Sequence, residues 1–318
     1  MARASLDLDP LASIVQRLGV LLAAGVTPVS GWVHLAELAQ GGEAPRLRSI
    51  AAAAERGESI VSAIVEVVSS VERVRSRSPS DSDASDAWRG LAAAWQVATE
   101  AGAPLAPTLA GFATSLRSLA QNQRDLRTAL AAPAATARMV MVLPIIGVLF
   151  GLALGFDTLG ILFGTPPGLA CLAVGGALML AARWWNGRLI RSARPRRLTP
   201  GLGFDLMAIA VSGGASIPRA RAAVAEARRH CGLPEEEAEA ALDEVLELSR
   251  RAGVPAATLL RSEAEETRRR ARSEGERKAA KLAVTLMLPL GLCILPAFMV
   301  LGVAPLLIAV ISSTVASF

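Results

Sequence analysis

No charged residue occurs from Leu282 to Phe318. A core helix of a soluble domain needs polar residues on its solvent side. A hydrocarbon layer about 30 Å thick, by contrast, takes about 20 consecutive apolar helical residues. Two other stretches share this character. Met139 to Phe156 reads MVMVLPIIGVLFGLALGF, and after Asp157 a second run extends from Gly168 to Ala182. The chain therefore offers three to four transmembrane helices, with a second crossing near 304–318 left open. The competing reading is a set of buried core helices. Composition favours the membrane: charged residues are 19% and mean hydropathy is +0.43, against about 25% charged in ordinary soluble domains. The N-terminal MARASLDLDP has no apolar core of the kind a signal peptide carries, so the first span is expected at 139.

Charge next to these runs sets an orientation. Arg124, Arg127 and Arg138 precede the first, and the connection 157–167 has no basic residue. Arg183, Arg188, Arg191 and Arg194 follow the second, and Arg268 to Lys281 is rich in Arg and Lys before the third. Basic residues stay on the cytoplasmic side, so the N-terminal and middle regions are expected there in a multi-pass protein of the cell (inner) membrane. Arg183, Trp184, Trp185 and Arg188 fit a membrane-interface anchor, with anionic lipids as partners. This also accounts for a sequence pI near 10.0. Tyr is absent and aromatics are 4%, which disfavours stacking on single-stranded nucleic acid. In 261–281, eight basic and five acidic residues alternate at helical spacing, Glu274 with Lys278 for instance. That pattern is a solvated, salt-bridged helix and not a phosphate-tracking groove. No nucleic-acid partner is expected.

Glycine followed by proline punctuates the polar regions. Gly25 with Pro28, Gly102 with Pro104 and Gly253 with Pro255 are structural turns: glycine accepts the left-handed residue after a helix, and proline suits the next helix start. Apolar residues at three and four spacing between them predict helices near 6–24, 28–40, 46–56, 59–75, 84–101 and 106–130. Ser76 to Asp86 is expected as an exposed polar loop. In the middle region Gly213-Gly214, Gly232 and Gly253 divide four more helices. AGAPLAPTLAGFA (101–113) echoes AGVPAATLLRSEA (252–264). The expected class is all-α, an integral membrane protein with two tandem cytoplasmic helical bundles. The expected domains are a six-helix bundle over 1–137, a transmembrane helix pair over 138–187, a shorter helical domain over 188–281 and C-terminal transmembrane segments over 282–318.

No catalytic constellation is visible. His34 and His230 are the only histidines, and His230 beside Cys231 lacks the four spaced ligands of a zinc site. Cys171 and Cys293 lie in apolar runs and read as small hydrophobes. Gly213-Gly214 lacks the lysine of a phosphate-binding loop, so the chain is not itself an ATPase. Neither an enzymatic activity, a cofactor nor a metal is expected. A small-solute transporter, or another membrane scaffold, is the alternative. The spans hold no ionisable residue to support transport.

The motifs LLAAGVTPVSGW (Leu21–Trp32), the Ala101 and Ala252 turns, TPPGLACLAVGGALMLAARWWNGRLIR (Thr165–Arg191) and LPLGLCILPAFMVLGVAP (Leu288–Pro305) resemble the type II secretion system F family, in its tight-adherence pilus branch. The resemblance implies a non-enzymatic inner-membrane platform for pilus assembly or protein secretion. It implies a cytoplasmic hexameric ATPase, pilin subunits, and a sister platform protein or further copies of the chain as partners. The second helical region is shorter than the family pattern. Exposed charged helices beside the membrane nominate Arg117, Arg124, Arg127, Arg269, Arg270 and Arg272 as partner-facing residues.

Overall fold

The structure, a computed structural model, describes residues 8–74, 79–153, 158–192, 200–234, 239–285, 287–305 and 307–308. Among these the regular elements are all helical. The chain divides into two units: Met1–Gln123 with Arg196–Arg272, and Arg124–Pro195 with Ser273–Phe318.

The first unit is built around α5 (Pro79–Ala101), which meets α1 (Leu8–Ala23) and α4 (Ile60–Val74). Between α1 and α4, α2 (Pro28–Leu38) and α3 (Ala44–Glu55) pack in succession. From the second half of the sequence, α9 (Leu202–Ser212) and α10 (Ile217–His230) also pack on α5. Leu91, Ala92, Ala93, Ala94, Val97 and Ala98 are all fully buried. A helix covered on every side needs small side chains so that its neighbours can approach, and alanine supplies them at no cost in helix propensity. Trp32 of α2 is completely buried, with its ring centroid 6.5 Å from that of Trp88 and 6.1 Å from that of Trp95.

This arrangement corrects the expectation of two tandem bundles. Leu206, Met207 and Ala210 of α9 belong to the same buried cluster as Leu18, Ile50 and Leu91. The physical reason is exposure: α5 has apolar residues all round, more than α1 and α4 can cover, and α9 and α10 supply the missing cover. Polar ties reinforce the join. Arg89 bridges Glu72 at 2.8 Å and donates to the Gly232 carbonyl at 3.2 Å, and His230 Nδ1 lies 2.9 Å from Gln96 Oε1.

The expected loop at Ser76–Asp86 is a second correction. Residues 75–78 lie outside the described set, but α5 already begins at Pro79, and Ser85 is buried. Proline at the first helical position and aspartates in the first turns favour a helix start. Serine and aspartate suit helix starts as well as loops. A third difference concerns α6, which runs unbroken over Leu105–Ala153 instead of ending near 130. The alanine-rich stretch around Pro133 favours helix strongly enough to carry the chain through one proline.

In the second unit, α7 (Thr158–Gly164) packs on α8 (Pro166–Ser192), and α8 meets the C-terminal helix over Met287–Val303. That helix alternates α turns with widened π turns at Leu290–Ile294 and Met299–Val303. The wide turns flank Pro296, whose missing N–H interrupts the regular ladder. Small residues set the helix spacing: a Cβ added at Gly175 would sit 2.3 Å from Leu301 Cγ. Among the described residues one helix, within Pro166–Leu189, is long and apolar enough to cross a membrane, with mean hydropathy 1.4; Gly291–Val303 is a shorter apolar helix. Residues 154–156 of the first expected span and 286, 306 and 309–318 of the last lie outside the described set.

Candidate partner-docking face and cleft

The turns come first, since they position everything else. Gly25, Gly102 and Gly253 adopt φ of 87°, 70° and 66°, the left-handed region, each just after a helix end. Pro28 opens α2, where Thr27 Oγ1 accepts from the Ser30 amide at 3.3 Å, and Pro104 and Pro255 immediately precede α6 and α12 (Ala256–Thr285). The Gly102 and Gly253 turns thus launch the two helices that carry the charged faces.

In the first unit, α6, α9 and α12 enclose a cleft of about 430 Å³. Its α12 wall presents Arg261, Glu265, Arg268, Arg269 and Arg272, residues that share one helical face. The α6 wall presents Thr108, Ser115, Ser118 and Asn122, and α9 contributes Asp205 and Ile209. Asp205 ties the three helices together. Its Oδ2 accepts from Arg268 Nη1 at 2.7 Å and from Ser115 Oγ at 3.4 Å. Burial pushes the Asp205 carboxyl above its ordinary range, and the Arg268 charge works against that shift. Arg261 Nη2 donates to Ser212 Oγ at 3.1 Å.

Along its exposed surface, α12 is laced with ion pairs. Arg270 Nε meets Glu266 at 2.8 Å, Arg269 meets Glu266 at 2.9 Å, and Lys278 meets Glu274 at 2.6 Å. These arginines hold the Glu266 carboxyl below its usual value, and Lys278 does the same for Glu274. On α11 (Glu239–Ala252), Arg250 and Arg251 lower Glu247 to about 2. The pairs are exposed, so each contributes little to stability.

The expected partner-facing residues fall in different parts of the fold. Arg269, Arg270 and Arg272 are exposed on one stretch of α12, and Arg117 is exposed on α6 of the same unit. Arg124 is exposed but opens the second unit, and the Arg127 side chain lies outside the described set. Within the second unit, the Arg188 guanidinium lies 5.7 Å from the Trp184 ring centroid, and Arg183 and Trp184 are exposed while Trp185 is half-buried. Asp205, Arg268 and Ser115 escaped sequence reading. A lone carboxylate in the apolar run LGFDLMAIAV was the available signal, since a buried acid demands a partner.

No curated protein matches the sequence. A family match runs from within α1 to the end of α6, the helix that supplies one wall of this cleft. Residues 14–153 match the Type II secretion system (T2SS), protein F family, and the chain carries a domain of that family there.

Proposed function

We propose that the chain is an inner-membrane platform protein of a type IV or tight-adherence pilus, or of a type II-like secretion machine. The observation that carries this reading is the protein F domain at residues 14–153, a family of structural platform proteins of the inner membrane. Membrane residence has separate support in the second unit. Of the most apolar window of α8, only 17% is buried, and Leu180 and Val174 are well exposed. A soluble core helix would bury such residues, so lipid is the environment that suits them. The Arg188–Trp184 pair beside Arg183 suits an interface with anionic headgroups. Multi-pass insertion with a cytoplasmic N-terminus follows from the arginine placement along the sequence.

In this reading the platform performs no chemistry. A cytoplasmic hexameric ATPase docks on the charged α12 face, and its conformational work passes through the helical unit to pilin subunits held in the bilayer. A sister platform protein or a second copy completes the base. Reversing charge at Arg269→Glu and Arg270→Glu leaves the buried core and the apolar helices untouched. It should lower co-purification of the ATPase from membranes by about tenfold, the equivalent of about 1.4 kcal/mol, with the amount of inserted chain unchanged. Undiminished recovery of the ATPase would remove this face from the account.

A further inference from the structure

We propose that the outer face of α11 is a self-association surface, on which α11 of a second copy of this chain lies antiparallel. That face carries an apolar strip, Ala241, Val245, Leu248 and Ala252, at the four- and three-residue spacing that keeps side chains on one side of a helix. Ala241, Leu248 and Ala252 are exposed, Leu248 to 54%, and Val245 is half-buried. The other sides of the helix are taken. Leu246 sits in the core, and Asp243 bridges Arg221 of α10.

A single exposed leucine is ordinary on a protein surface. What sets this strip apart is its counterpart in the first half of the chain. Aligning AGAP (101–104) with AGVP (252–255) places the strip on Gly90, Ala94, Val97 and Ala101 of α5. There Gly90, Ala94 and Val97 are buried, and α9 lies along them. A Cβ added at Gly90 would stand 3.5 Å from Leu202 Cδ2, and one at Gly213 would stand 2.2 Å from the Ala101 carbonyl oxygen. The strip thus seats a helix on α5, while on α11 no helix among the described residues covers it.

Charge selects the occupant. α11 is acidic at its start, with Glu239, Asp243 and Glu244, and basic at its end, with Arg250 and Arg251. Glu244 and Arg251 are seven residues apart and flank the strip on the same side. Glu244 is exposed and has no ion-pair partner among the described residues, whereas Arg250 and Arg251 share the one carboxylate of Glu247. Two copies of α11 running in the same direction would set like charges against each other. Running in opposite directions, Val245 of each copy meets Leu248 of the other, and Glu244 of each faces Arg251 of the other. Such a contact is satisfied twice about a two-fold axis and closes as a dimer. A 14-residue helix pair is smaller than a standard interface of about 1,600 Å², so it suits copies already confined to one membrane. The pairing rests on the platform reading for that shared membrane, and at this surface it selects a second copy over a sister chain.

The test is photocross-linking in intact membranes from cells that express two full-length copies with tags of different size. The photoreactive p-benzoylphenylalanine replaces Leu248 in one copy, and Arg229, exposed on α10, provides the control position. The expected product is an adduct carrying both tags, formed at position 248 at least about fivefold more than at position 229. Glu244→Arg alone, or Arg251→Glu alone, made in both copies, should lower that yield by about fivefold, and the two changes together should restore it. Both residues are exposed, so these variants carry little risk to folding. Absence of the two-tag adduct, equal yield at both positions, or a charge swap that does not restore it overturns the proposal. An adduct with a different protein in place of the second copy also overturns it, because the face would then belong to another partner. Recovery of the ATPase is read separately. Retained recovery in a chain that forms no adduct leaves the platform reading standing while this pairing falls.

Discussion

At the scale of single residues, Asp205 has the clearest energetic consequence. Its carboxyl is held above the ordinary value of 3.8 mainly by burial. A group with a raised folded-state pKa binds its proton more tightly folded than unfolded. Its contribution to stability is therefore fully present below pH 3.8 and is lost as pH rises through the folded pKa. The difference in denaturation midpoint between wild type and Asp205→Asn should thus fall as pH rises from 3.8 toward neutrality. Glu247, lowered to about 2, has the opposite sign: its contribution is present above its unfolded value and fades only on strong acidification. Comparing Asp205→Asn with wild type isolates the first effect, because Glu247 is common to both. A difference that grows with pH would mean that the Arg268 charge outweighs burial. Cys231 follows the same logic, with burial raising its thiol to about 11. It should stay unreactive toward alkylating reagents at neutral pH until the unit unfolds, as mass spectrometry of labelled chain can check.

Elements show where sequence reading succeeds and where physics beyond local pattern takes over. The turns at Gly25, Gly102 and Gly253 were legible because a left-handed residue between helices leaves a composition mark, glycine and then proline. The start of α5 was misread because serine and aspartate serve both loops and helix N-termini, and only Pro79 favours the second. Long-range approach leaves still less trace. Gly213 ends α9 where a Cβ would stand 2.2 Å from the Ala101 carbonyl oxygen, so two helix ends meet through a residue that nothing local demands. Gly213→Ala should therefore cost about 1–3 kcal/mol through overpacking, read as a lower unfolding temperature. Gly111→Ala, in the interior of α6 with open space at its Cβ, should instead be neutral or stabilising by up to about 1 kcal/mol. If both variants unfold alike, the close approach at Gly213 is not real.

For the whole molecule, the largest departure from the sequence pattern is the shared core. The repeat of AGAPLAPTLAGFA and AGVPAATLLRSEA suggested two bundles, because a repeat shows that two segments fold alike but not which partner each buries against. The buried apolar surface of α5 decides that, and it draws in α9 and α10. A fragment of residues 8–123 should consequently expose part of the α5 surface and unfold non-cooperatively or aggregate. Co-expression with residues 200–272 should restore a cooperative transition. A cooperative fold of 8–123 alone would show that the second segment is only a neighbour. The candidate site was legible only as charge: the arginines of α12 stand out in sequence, whereas the cleft behind them requires α6 and α9, which are far away in the chain.

A platform for export differs from a transporter or a soluble helical protein in what its loss does at the cell surface. The most direct measurement is the surface filament and exported-protein profile of cells lacking the chain, compared with cells restored by wild type or by Arg269→Glu with Arg270→Glu. The account predicts loss of a filament or of specific exported proteins in the deletion, recovery with wild type, and failure of the charge-reversed variant despite normal membrane insertion. Filaments and exported proteins unchanged in the deletion would contradict it.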